Sequence, residues 1–169
     1  GQGSVGEWAA RTAGTHGNGL GVSICSSANA YEQTAVTTTS GTEALGQTVI
    51  SVTDASVINV GDIIQFSSTA STTDFDDGEF YRVTAVNTGT NVVTFVQHPR
   101  GSGGLKRIVA DNSRIKRRWR YYDAVDGGAP GTSKFVSDRS GSGDEIHIVI
   151  VDEDGGITGV PGQIIEAFS

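Results

Sequence analysis

From position 143 to 168 the chain reads G-D-E-I-H-I-V-I-V-D-E-D-G-G-I-T-G-V-P-G-Q-I-I-E-A-F. Residues 146–151 are an unbroken run of strand formers. Ile146, Ile148 and Ile150 point to one face of such a strand, and His147, Val149 and Val151 to the other. Apolar residues on both faces predict a strand that is central in its sheet and covered on both sides. Asp152-Glu153-Asp154-Gly155-Gly156 predicts a tight reversal, since Asp-Gly suits positions where φ must be positive. Pro161-Gly162 punctuates again, and residues 163–168 predict the start of a helix.

The remainder shows the same grammar of short alternating runs and turn residues. Residues 1–11 are glycine-rich, with Val5, Trp8, Ala9 and Ala10 their apolar content. Residues 20–25 alternate as a strand, and residues 26–40 form a Ser/Thr-rich linker in which 35–38 add a short strand. Further strands are predicted at 47–52, around 58–66 with a turn at Gly61-Asp62, at 78–86, and at 92–96 after a hairpin loop at 87–91. Short strands at this spacing indicate a small sandwich or barrel. Residues 114–121 alternate imperfectly as one more strand, and 127–143 form a long turn-rich loop. The expected fold class is therefore mainly β, a β-rich α+β chain with few short helices. Its sheet domain is built from residues 1–40 and 105–169 and interrupted by a small inserted β-barrel at 41–104.

Composition sharpens this only in part. Twenty-four glycines against three prolines suit many tight turns. A formal net charge of −7 argues against general nucleic-acid affinity. Cys25 is the lone cysteine, so no internal disulfide forms. No apolar run reaches membrane-spanning length. Methionine is missing even from position 1, as expected of a fragment or processed product.

Gly14 to Gly21 carries four glycines, but a strand follows where a phosphate-cradling loop needs a helix. Lys106, Arg107, Arg114, Lys116, Arg117, Arg118 and Arg120, beside Trp119, Tyr121 and Tyr122, make the one basic stretch. A stacking and phosphate-contact surface is imaginable there, but in an acidic chain pairing with carboxylates is the better expectation. Asp74, Asp76, Asp77 and Glu79 form an acidic knot, and Asp152, Glu153 and Asp154 another; neither matches a calcium-loop spacing. His16, His98 and His147 lie far apart with no ligand-spaced neighbour, which disfavours zinc. His147 reads as a packed, hydrogen-bonded residue and Cys25 as a small buried one. No G-x-S-x-G elbow is present. No catalytic, cofactor-binding or metal-binding residue is assigned, and no enzyme is expected.

Three motifs carry a resemblance. Residues 144–168 resemble a segment of the contractile tail sheath proteins of T4-like bacteriophages, in which such a hairpin leads through a T-G-x-x-G turn into a helix. Gly127, Ala129, Pro130, Gly131, Thr132 and Ser133 are similar to that family's lead-in. Gly14-Thr15-His16-Gly17-Asn18-Gly19-Leu20-Gly21-Val22 is similar to its G-x-x-G-N-x-L-x-V signature. The middle segment is similar to small barrel modules of phage structural proteins. The resemblance implies a structural virion protein, part of a subunit of the sleeve that surrounds the tail tube and shortens during DNA injection. The partners it implies are other copies in a helical sheath, through contacts that do not close, and tail tube and baseplate proteins, with no membrane and no direct nucleic-acid contact. The implied location is the virion, assembled in the bacterial cytoplasm. The alternative is a surface-exposed binding module for glycan or another virion protein, with Phe75, Phe80 and Tyr81 as its aromatic candidates.

Overall fold

A computed structural model describes residues 14–75 and 79–169. The chain is mainly β and divides into two compact units. Among the described residues, one comprises residues 14–27 and 123–169, and the other, called the inner unit because it falls within the first in chain order, runs from 28 to 122. This division differs from the one expected: residues 28–40 and 105–122 belong with the inner unit. The physical reason is strand pairing, because the strands in those two stretches complete the inner sheet.

The inner unit holds β2 (Glu32–Thr38), β3 (Val49–Ser51), β4 (Ile63–Phe66), β5 (Phe80–Asn87), β6 (Val92–His98) and β7 (Arg114–Arg118). They form an antiparallel sheet in the order β2-β7-β4-β5-β6-β3. The four strands expected between 47 and 96 are all present, and the basic stretch supplies β7. The stretch 26–40, with its short strand expected at 35–38, supplies the longer β2 at Glu32–Thr38. The ends of the sheet meet through one bridge, Thr39 with Val52, supported by the Thr53 N–H donating to the Thr38 carbonyl. A fully closed barrel is not shown. The core is an aromatic triangle: Phe66 and Tyr81 have ring centroids 5.6 Å apart, Phe66 and Phe95 5.8 Å, and Tyr81 and Phe95 5.1 Å. Ile50, Val83, Val93, Leu105, Val109 and Ile115 are buried in the same cluster. The Tyr81 hydroxyl keeps a polar partner by accepting the Lys106 N–H at 3.0 Å.

The other unit holds β1 (Leu20–Cys25), β8 (His147–Asp152) and β9 (Gln163–Phe168) in an antiparallel sheet ordered β1-β8-β9. One-turn helices at Thr15–Asn18 and Lys134–Ser137 accompany it. β8 is central, but the expectation of cover on both faces fails. His147, Val149 and Val151 are buried, while Ile148 and Ile150 are only half-buried. The expected helix at 163–168 is instead β9. Two consecutive β-branched isoleucines, Ile164 and Ile165, favour a strand. The ladder to β8 pairs Gln163 and Ile164, skips Ile165 at a register shift, and resumes at Glu166, giving the segment partners that a single helical turn could not. The tight reversal expected at 152–156 is in fact a longer excursion over residues 153–162.

Candidate functional site

The excursion between β8 and β9 is organised by one carboxylate. Asp152 Oδ2 accepts the Ile157 N–H at 2.9 Å, the Thr158 N–H at 2.6 Å and the Thr158 hydroxyl at 2.8 Å, while the Gly162 N–H returns to the Asp152 carbonyl at 2.6 Å. The Thr158 N–H, with the other donors behind it, holds the Asp152 carboxyl down at about 2, against desolvation. Asp154 and Glu153 lie against Gly19 and Gly21, so a side chain at either glycine would have to displace a carboxylate. Carboxylates packed on the Gly14–Gly21 segment are the opposite of a phosphate cradle. At the other end of β8, the His147 ring nitrogen Nε2 bonds the Gly128 carbonyl at 2.7 Å, as expected for a packed residue. Asp144 binds the Ser133 hydroxyl and N–H, which hold its carboxyl below the usual range. These acidic residues are structural turn-holders.

Four cations of the basic stretch pair with the inner unit's own carboxylates. Lys116 Nζ lies 2.7 Å from Glu32, Arg118 pairs with the same Glu32, Arg117 lies 3.6 Å from Asp62, and Arg107 lies 3.1 Å from Glu79. Partial burial opposes ionisation of Glu32, yet Lys116 and Arg118 hold its carboxyl below the usual value. Burial dominates at Asp62 and pushes its carboxyl up despite Arg117. The Arg118 guanidinium also sits over Phe80 at 5.5 Å and Tyr122 at 5.3 Å, and Lys116 over Phe75 at 5.8 Å. Of the three aromatic candidates for a binding platform, Tyr81 is fully buried, and Phe75 and Phe80 are half-buried beneath these cations. Asp76 and Asp77 lie outside the described residues, as do the side chain of His16 and all of Trp8. Among the described residues no group of three His, Cys, Asp or Glu side chains is placed to hold a metal ion. Cys25 is buried, its thiol directed at the Ser27 carbonyl at 3.6 Å.

What the sequence reading missed is an apolar surface. In the β1-β8-β9 register, Ile24, Ile148 and Phe168 form one cross-strand row, and Val22, Ile150 and Glu166 the next. Residues directly opposite in an antiparallel ladder share a face. Val22 is 39%, Ile24 40% and Phe168 52% exposed. Strand alternation at residues 20–25 contained the signal for Val22 and Ile24, whereas Phe168 was hidden by the helix expectation. Beside it, charge is segregated. Residues 1–27 and 123–169 carry ten carboxylates against three Lys or Arg, which is the chain's whole net charge of −7; residues 28–122 carry nine against nine. The unit thus combines a strongly acidic composition with exposed apolar side chains on one sheet face. Comparison with protein-family models, curated proteins and solved structures gives no match.

Proposed function

We propose that this chain is a structural piece of a contractile phage tail, part of a sheath subunit whose work is done through contacts with other protein surfaces. The observation that carries the reading is the exposure of Val22, Ile24 and Phe168, from two adjacent cross-strand rows, on a three-stranded sheet whose outer strands each have a partner on one side only. Such a face costs solubility when left bare, at about 25 cal/mol per Å² of apolar area, and is stabilising only when another surface covers it. The three motifs at residues 14–22, 127–133 and 144–168, which resemble sheath proteins, add the identity of the assembly. The binding-module alternative loses its platform with the burial of Tyr81 and the cation cover over Phe75 and Phe80. The test is cryo-electron microscopy of contractile tails at backbone resolution. The expected result is this segment within the helical sleeve around the tube. Finding it at a fibre tip or in the baseplate overturns the proposal.

A further inference from the structure

We infer that the open face of the β1-β8-β9 sheet docks a single amphipathic helix of a partner chain, one with an apolar stripe flanked by Lys and Arg. The inference rests on the assembly reading above and names the chemistry of the partner. Its first support is dimensional. Strands about 4.8 Å apart put β1 and β9 about 10 Å from one another, the width of one α-helix with its side chains. A sheet with one apolar face reaches a stable two-layer arrangement by laying helices on it. A strand added to the edge of β1 or β9 would satisfy backbone groups but leave Ile24, Ile148 and Phe168 bare.

The second support is charge. The apolar rows include Glu166, directly across from Ile150, and the unit that carries them holds the full −7. Pressing this face on its own copy would bring two such units together within the roughly 8 Å over which charges act at physiological salt. Like charges at that range oppose a self-paired interface, and a helix with cationic flanks meets the same field as attraction. Of the chain's own cations, Lys116, Arg117 and Arg118 already pair with Glu32 and Asp62.

The test uses the 169-residue chain, isotope-labelled for NMR, and two synthetic helical peptides with the same leucine stripe, one flanked by Lys and Arg and one by Glu. The expected result is binding of the basic peptide at least tenfold tighter than the acidic one. Its shifts should concentrate in Leu20–Cys25, His147–Asp152 and Gln163–Phe168, and binding should weaken as salt is raised. The double variant Val22→Thr/Ile24→Thr should abolish it while leaving the spectrum of residues 28–122 unchanged, because threonine keeps strand propensity. Glu166→Lys should narrow the preference between peptides. Equal binding of both peptides overturns the charge argument and leaves the assembly reading standing. Self-association that the double variant disperses makes the occupant a second copy, which overturns the helix and strengthens the assembly reading. A chain that neither binds nor self-associates overturns the docking face; the position of the segment in tails then decides the assembly reading separately.

Discussion

The two units of this chain solve the problem of staying folded in different ways. Residues 28–122 bury an aromatic triangle of Phe66, Tyr81 and Phe95, balance nine carboxylates with nine Lys or Arg, and satisfy their strongest cations internally. The unit of residues 14–27 and 123–169 centres on β8, which is well buried on one face only, leaves Val22, Ile24 and Phe168 exposed, and relies on carboxylates that pin turns. The inner unit buries most of its large apolar side chains, whereas the other leaves those three exposed. Stability in the first should therefore respond to core volume, and in the second to hydrogen bonds at Asp152 and Asp144.

The largest effect is expected from Phe95→Ala. Phe95 is fully buried and touches both other rings of the triangle. Truncating a buried Phe costs about 3–5 kcal/mol through lost transfer energy and the cavity left behind. Urea unfolding followed by amide NMR should show residues 28–122 melting at much lower denaturant, with the amides of Ile148 and Val149 much less affected. Equal loss in both units would show that they fold as one, and the contrast drawn here would fail.

Acid should act on the other unit first. The Asp152 carboxyl is lowered from 3.8 to about 2 in the fold, chiefly by the Thr158 N–H, so its stabilisation is fully present above pH 4 and is lost as pH falls towards 2. Asp144 is lowered in the same sense. In the inner unit the shifts oppose one another: Glu32 and Asp54 are lowered, whereas Asp62 is raised by burial and gains stability as it protonates. Hydrogen exchange at Ile157 and Thr158 should accelerate about tenfold or more in Asp152→Ala, and in the wild type on going from pH 5 to pH 2.5 after correction for intrinsic rates. Unchanged protection of those two amides would mean that the Asp152 bonds do not hold the turn.

These contrasts were legible in the sequence to different degrees. The strands around Ile50, Val83 and Val93 follow from alternation and turn residues, because each is a local pattern with one face more buried than the other, whereas β4 around Ile64 is buried on both faces. The pairing of β7 with both β2 and β4 was not legible, since nothing local to Arg114–Arg118 says which distant strands it joins. Residues 163–168 misled for a related reason. Isoleucine pairs occur in helices and strands alike, and only the ladder to Ile148 and Ile150 decides between them. His147 and Cys25 were read as packed residues and are packed; the open face of Val22 and Ile24 needs the sheet to be seen.

A smaller change sharpens the account of the inner core. Tyr81→Phe keeps the triangle and removes the acceptor for the Lys106 N–H. The expected cost is about 1 kcal/mol, that of a donor left without its neutral partner. A midpoint shift in urea as large as that of Phe95→Ala would show that the hydroxyl, rather than ring packing, governs this unit.

The smallest expected effect lies at the edge of the inner sheet, in β2. Its pairing with β7 is regular at Glu32 and Gln33, slips, and resumes at Thr37. Within the slip Ala35 adopts φ 58°, a left-handed conformation that a Cβ disfavours and glycine accepts freely. Relief of that strain is worth on the order of 1–2 kcal/mol, offset by the roughly 0.5–1 kcal/mol of extra chain freedom that glycine brings to the unfolded state. Ala35→Gly should therefore raise the unfolding midpoint of residues 28–122 by a net of about 0.5–1 kcal/mol and leave the β1-β8-β9 unit untouched. A lowered midpoint would mean that the methyl group packs to an advantage larger than the strain. The bulge would then be held by contacts of Ala35 rather than tolerated by an edge strand that gains protection from unwanted pairing when its ladder is broken.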